Sequence, residues 1–145
     1  MGESINLFDY TKKYFEIEAE EAGSYSPLTL AYIGDGIYEI IIRTLVVTQN
    51  GNMQVNKLHK KSSSLVKAET QAKMIKVLMD KLSEEELRIY KRGRNAKSFT
   101  SAKNAAIGDY RMATGLEALF GFLYMDGRME RLQELIKLGM EGIGE

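Results

Sequence analysis

The 145-residue chain contains no cysteine, which excludes a disulfide framework, a thiolate metal site and a cysteine nucleophile and is in keeping with a reducing, cytoplasmic setting. It has a single histidine, His59. With no serine beside an evident base, a Ser-His-acid triad is a poor reading, and His59 reads as a surface or hydrogen-bonding residue. Long apolar runs are missing too: the most apolar segment, Ile37 to Val47, is broken by Glu39 and Arg43, and a bilayer span takes roughly 20 apolar residues. The opening residues, MGESINLFDYTKKYFEIEAEEAG, are acidic and carry no uninterrupted apolar stretch, so no signal peptide is expected and a soluble protein is. Strand-like alternation, repeats, linkers and low-complexity segments are likewise lacking. What is left reads as all-α, one domain over 1–145, long enough to bury a core without covalent staples.

Net charge is zero at neutral pH, but its distribution is uneven. Lys57 to Lys103 holds thirteen Lys/Arg against five Asp/Glu, whereas Met1 to Asn56 has three against eight and Asn104 to Glu145 four against seven. A basic middle between acidic flanks suits a phosphate-binding surface beside a carboxylate cluster.

The stretch that organises the chain is SPLTLAYIGDGIYEIIIRTLVVT, Ser26 to Thr48. Ser26 can cap a helix and Pro27 suits its first position, and Leu30, Ile33, Ile37, Ile40, Ile41 and Leu45 recur at helical steps, which predicts one face turned to a core. Asp35 interrupts that face between Gly34 and Gly36, each of which costs about 1 kcal/mol against alanine inside a helix. Close approach by another helix, or ligand access to the aspartate, would justify that cost; a partly buried Asp satisfied by a hydroxyl or amide is the plainer account. Around this element the sequence predicts a short acidic helix from about Asn6 to Glu21 with Leu7, Tyr10, Tyr14 and Phe15 inward. A basic amphipathic stretch from Val55 to Leu82 follows, with a break expected at Ser62, Ser63 and Ser64. A capping box at Ser83 and Glu86 starts a helix from about Glu84 to Lys91. RGRNAKSFTSAKNAA, Arg92 to Ala106, reads as an exposed basic loop. Helices from about Ile107 to Met125 and from Arg128 to about Met140 complete the chain.

Glu117, in ATGLEALFGFLY, is a second acid inside an otherwise apolar helix. Lone acids of this kind are mostly paired structural groups. Two of them on core helices that pack side by side would repel unless a cation lay between them, and hard Mg²⁺ or Mn²⁺ suits oxygen ligands.

At these residues the chain resembles a known family. LAYIGDGIYE is similar to the signature helix of the ribonuclease III catalytic domain and TGLEALFGFLY to that family's second acidic helix, while LHKKSSSLVKAETQA and KRGRNAKS look like its short single-domain branch, Mini-ribonuclease III. The likeness runs from about Leu28 to Leu135. It implies an all-helical, dimeric endonuclease domain that cleaves double-stranded RNA with Mg²⁺, in the Mini branch the paired ends of precursor 23S ribosomal RNA with a ribosomal protein assisting. Asp35 matches the signature aspartate and Glu117 the metal-binding glutamate, so both are the expected catalytic and metal-binding residues. The full-length family has acids where this chain has Ala31 and Thr114, one helical turn from the two retained, which implies fewer direct protein ligands. Glu39, one turn after Asp35, could assist the site through water, but pairing with Arg43 on the next turn is the favoured reading.

Affinity for RNA is expected from cations facing phosphates and 2′-hydroxyls: Arg92, Arg94, Lys97 and Lys103, then Lys60, Lys61 and Arg111. With no double-stranded-RNA-binding module in the chain, intrinsic affinity should be weak and strongly salt-dependent. A two-fold pair would address both strands, with Gly34, Gly36, Ile37, Ile40 and Ile41 as the expected contact region, although the same residues would serve a monomer core. The rival readings are a noncatalytic RNA-binding or ribosome-assembly protein of the same fold, suggested by Ala31 and Thr114, and a helical interaction module for an acidic partner.

Overall fold

The computed structural model describes residues 6–97 and 107–145, and among the described residues seven α-helices account for most of the backbone. They are α1 (Leu7–Phe15), α2 (Pro27–Asn50), α3 (Val55–Val66), α4 (Ala68–Leu78), α5 (Glu84–Asn95), α6 (Ile107–Met125) and α7 (Met129–Gly142). No strand occurs among the described residues, so the all-α expectation holds.

α6 is the axis of the bundle. It packs against α2, α5, α4 and α7, and from Ala113 to Tyr124 only Glu117 escapes full burial. Leu116, Leu119, Phe120 and Leu123 have no exposed surface; each such side chain contributes about 2 kcal/mol of transfer free energy. Tyr38 of α2 reaches across to Phe120, ring centroids 5.3 Å apart.

The helix starts follow the sequence closely. Ser26 caps α2 by accepting from the Thr29 amide, with Pro27 in the first turn, and Gly51 ends it at φ +62°. Ser83 and Glu86 form the expected capping box on α5, and α6 spans Ile107–Met125 as the sequence reading places it. On α2, Leu30 and Ile37 are buried and Ile33, Ile41 and Leu45 half-buried, but Ile40 is exposed and Ala31, Tyr38, Ile42 and Val46 join the core instead.

Three expectations are corrected. α1 is shorter than 6–21 and turns Phe8 inward against Tyr124, leaving Leu7, Tyr10, Tyr14 and Phe15 exposed. The basic stretch breaks at Lys67, not at the serines, because Ser62 and Ser64 donate back to the His59 and Lys61 carbonyls and stay helical. α5 continues through Asn95, so Arg92 and Arg94 are helical rather than loop residues. Gly93 explains the extension: it lies against α6, where a β-carbon would come within 2.7 Å of Ala118 Cβ and 2.9 Å of Gly115 Cα. Of the rest of the proposed loop, Ala96 and Lys97 are non-helical and exposed or nearly so, and Lys103 lies outside the described residues.

Candidate metal centre

The site is built where α2 and α6 cross. A β-carbon on Gly34 would stand 1.8 Å from the Glu117 carbonyl oxygen, and one on Gly121 would stand 1.9 Å from that of Leu30. Two main chains can touch in this way only where side chains are missing. Gly34 is therefore a close-approach glycine, as one of the two explanations for it requires. Gly36 is different: nothing lies within 4 Å of the position its β-carbon would take.

Beside this crossing Asp35, exposed on α2, meets Glu117, half-buried on α6. Burial is the largest influence on Glu117 and pushes its carboxyl up to about 8; a hydrogen bond from Gln71 opposes the shift, and the charge of Asp35 and a hydrogen bond with it add to it. Gln71 is 1 % exposed and donates through Nε2 to Glu117 Oε2 at 3.1 Å and to the Val66 carbonyl at 2.9 Å. Tyr38 lies near enough that the charge of Glu117, after burial, raises its hydroxyl above the ordinary tyrosine value; that hydroxyl donates to the Leu65 carbonyl at 2.8 Å.

Two carboxylates drawn together in a partly dry place, one of them retaining its proton far above the usual range, form a donor set of oxygens short of positive charge. This fits a hard divalent cation such as Mg²⁺ or Mn²⁺. Among the described residues no cluster of three or more His, Cys, Asp or Glu stands ready to hold an ion. Ala31 is buried, and Thr114 directs its hydroxyl to the Tyr110 carbonyl at 3.0 Å. Asp35 and Glu117 would thus supply two oxygen ligands to such an ion. Glu39 pairs with Arg43 at 2.9 Å, one turn along α2.

The cations fall into separate groups. Arg94, half-buried with its guanidinium 5.6 Å from the Tyr90 ring centre, lines a groove of about 460 Å³ with Arg111 and Lys76. Arg92 lines another, of about 780 Å³, with Arg88, Lys91 and Pro27. Lys60 and Lys61 are exposed on α3 and Lys97 is exposed after α5. His59 is exposed and lines a small cleft with Arg43 and Leu58. Of the region expected to join two copies, Gly34 and Ile37 are consumed inside one chain, Ile41 is half-buried, and Gly36 and Ile40 are exposed.

Sequence reasoning passed over Gln71. The signal was there: it occupies the inward row of α4 with Ala68, Ala72, Ile75 and Leu78, a polar amide among apolar neighbours. Lys76 and Arg88 were also passed over, since nothing local distinguishes them from solvated surface cations.

The ribonuclease III domain model matches residues 28–128. The chain is 51 % identical over 130 residues to Mini-ribonuclease 3 of Clostridium tetani, covering 88 % of this chain and 86 % of that one. It is 49 % identical over 122 residues to Mini-ribonuclease 3 of a Thermoanaerobacter species, covering 84 % and 85 %. A crystal structure of a Fusobacterium nucleatum protein superposes with a TM-score of 0.73 at 30 % identity, over 86 % of this chain and 98 % of that one.

Proposed function

Since the chain belongs to the ribonuclease III family, in its Mini-ribonuclease III branch, and is an endoribonuclease, we propose that it hydrolyses double-stranded RNA with a divalent cation held by Asp35 and Glu117. The observation that carries this is the meeting of those two acids across the glycine crossing of α2 and α6. Mg²⁺, for which Mn²⁺ could substitute, would activate a water and offset charge on the scissile phosphate when bound there. The chain's own part is to present two oxygens in fixed relation, one supported by Gln71 and one open to solvent where the phosphate must arrive.

Cations of the chain supply affinity in this reading. Arg94 with Arg111, Arg92 with its neighbours, Lys97 and Lys103, and Lys60 and Lys61 on α3 would meet phosphates and 2′-hydroxyls. The 145 residues work as one catalytic domain, and the substrate that family likeness favours is the paired ends of precursor 23S ribosomal RNA, in the cytoplasm and with a ribosomal protein assisting its choice. Among the described residues no helix is long and apolar enough to cross a membrane.

A homodimer belongs to the same proposal. Leu28, Tyr32 and Ile40 are 37 %, 82 % and 51 % exposed, and with the open Gly36 they follow one another at four-residue steps along α2. A second copy covering this apolar row would bring two sites to one duplex.

The test is cleavage of a duplex RNA in Mg²⁺ by the chain and by D35N and E117Q. Loss of cutting in both variants, with RNA binding and the helical circular-dichroism signal retained, is the expected result. Binding without cutting by the unaltered chain would mark the noncatalytic alternative, for which Ala31 and Thr114 speak.

A further inference from the structure

We propose that Gln71 is a positioning residue that fixes the Glu117 carboxylate for cation binding, and that the α3–α4 break exists to hold it there. The inference rests on the reading of Glu117 as a metal ligand.

The geometry begins with the end of α3. The last four carbonyls of a helix have no partner within it. In α3 these are Ser63, Ser64, Leu65 and Val66, and each is taken up: Ser63 by the Lys67 amide at 3.2 Å, Ser64 by the Thr70 hydroxyl at 2.6 Å, Leu65 by the Tyr38 hydroxyl at 2.8 Å and Val66 by Gln71 Nε2 at 2.9 Å. Lys67 adopts an extended conformation, φ −66° and ψ 155°, and α4 starts directly after it. Three buried side chains therefore clamp the junction, and Gln71 is one of them.

Its amide is spent in a way that only one orientation allows. Both N–H groups of Nε2 point at acceptors, a main-chain carbonyl and the Glu117 carboxylate. Turned over, the amide would set its oxygen against those same two oxygens. Gln71 Oε1 is buried and accepts from no donor among the described residues, a cost tolerated because the other end of the amide is doubly committed. A core-filling side chain would avoid that cost but leave both the Val66 carbonyl and Glu117 without their donor, so the one amide joins the end of α3 to the carboxylate. Tied to the α3 terminus at one hydrogen and to the carboxylate at the other, Gln71 restricts the rotation of Glu117 and leaves its remaining oxygen lone pairs for a cation. Outer partners of this type typically change metal affinity or activity by about 10- to 100-fold when removed.

The experiment is Mn²⁺ titration of the RNA-free chain, followed by electron paramagnetic resonance, for the unaltered protein, Q71M and E117Q. Q71M keeps the length and volume of the side chain and removes both donors. The expected result is an Mn²⁺ dissociation constant raised about tenfold in Q71M, with E117Q binding still less. In turnover, kcat for a duplex at limiting Mg²⁺ should fall by a similar factor and recover as Mg²⁺ is raised, with KM for RNA unchanged; a purely structural role would give no metal rescue. Wild-type Mn²⁺ affinity in Q71M beside weakened binding in E117Q overturns the inference about Gln71 and leaves the metal reading standing. Wild-type affinity in both overturns both. If Q71M fails to keep its helical signal, Q71N, whose donors stop one methylene short of Glu117, is read in the same titration with the same two outcomes.

Discussion

Gly34 and Gly121 are reciprocal: each occupies the point at which the other helix's main chain comes closest, Gly34 under the Glu117 carbonyl and Gly121 under that of Leu30. The pair sets the distance between α2 and α6 and therefore the distance between Asp35 and Glu117. G34A or G121A should cost about 3 kcal/mol or more, the upper end for overpacking, because the obstructing atoms are backbone and cannot swing aside. G36A should instead leave the folded chain unharmed or add up to about 1 kcal/mol through helix propensity. Urea denaturation distinguishes the three, and equal destabilisation by all of them would contradict this account of the crossing.

The pH dependence follows from Glu117, whose carboxyl stands raised by burial and by Asp35 from 4.5 to about 8. A raised carboxyl holds a proton in the folded state that the unfolded chain has released, so the folded state binds more protons between those two values. Stability without metal should then fall as pH rises from 4.5 toward about 8. A divalent cation favours the ionised form, so adding Mn²⁺ should flatten that fall and release protons on binding near neutral pH. Melting temperatures across this range, with chelator and with Mn²⁺, check it; in E117Q the metal-free slope should be lost.

How much of this was legible in the chain depends on where the cause lies. Capping chemistry is local, so Ser26–Pro27 and Ser83–Glu86 announced the starts of α2 and α5. Asp35 and Glu117 stood out as acids in apolar surroundings, and flanking glycines marked one of them. Gly93 misled, because a glycine between arginines reads as loop until the partner surface on α6 is known. α1 misled for a related reason: its larger apolar set, Leu7, Tyr10, Tyr14 and Phe15, lost to the single ring of Phe8, which finds Tyr124 at 5.4 Å. The break at Lys67 depends in part on Tyr38, 27 residues from Leu65, and the role of Gln71 depends on Glu117, 46 residues away, and no local pattern carries such information.

The two arginines at the end of α5 should behave differently. Arg92 is exposed at the rim of an open groove, so R92A should weaken duplex binding and lower the slope of log affinity against log salt by about 1, with the melting temperature little changed. Arg94 lies over Tyr90, and R94A should flatten the slope similarly and also cost about 0.5–1 kcal/mol of stability from the lost ring contact. Binding isotherms at three salt concentrations test both; an unaltered slope would remove the α5 terminus from the RNA surface.

Away from the site, the chain relies on an ion pair whose acid is covered and whose arginine is 28 % exposed. Glu86, its side chain 3 % exposed, accepts two bonds of 2.8 Å from Arg131 of α7, whose guanidinium also donates to the Lys81 carbonyl at 2.8 Å. The Arg131 hydrogen bond is the main reason the Glu86 carboxyl lies below the ordinary glutamate value, while burial works against it. Removing the arginine leaves Glu86 covered with only the Ser83 amide as donor, so R131M should destabilise by about 1–3 kcal/mol. Because Glu86 also closes the capping box of α5, the loss should spread to that helix and lower the cooperativity of unfolding. Mn²⁺ affinity of the protein that remains folded should stay at the wild-type value, since the bonds of the two residues run to Ser83, Lys81, Glu134 and each other and not to Asp35 or Glu117. Chemical denaturation together with Mn²⁺ titration of the same R131M sample therefore separates what holds the bundle together from what equips it to bind metal.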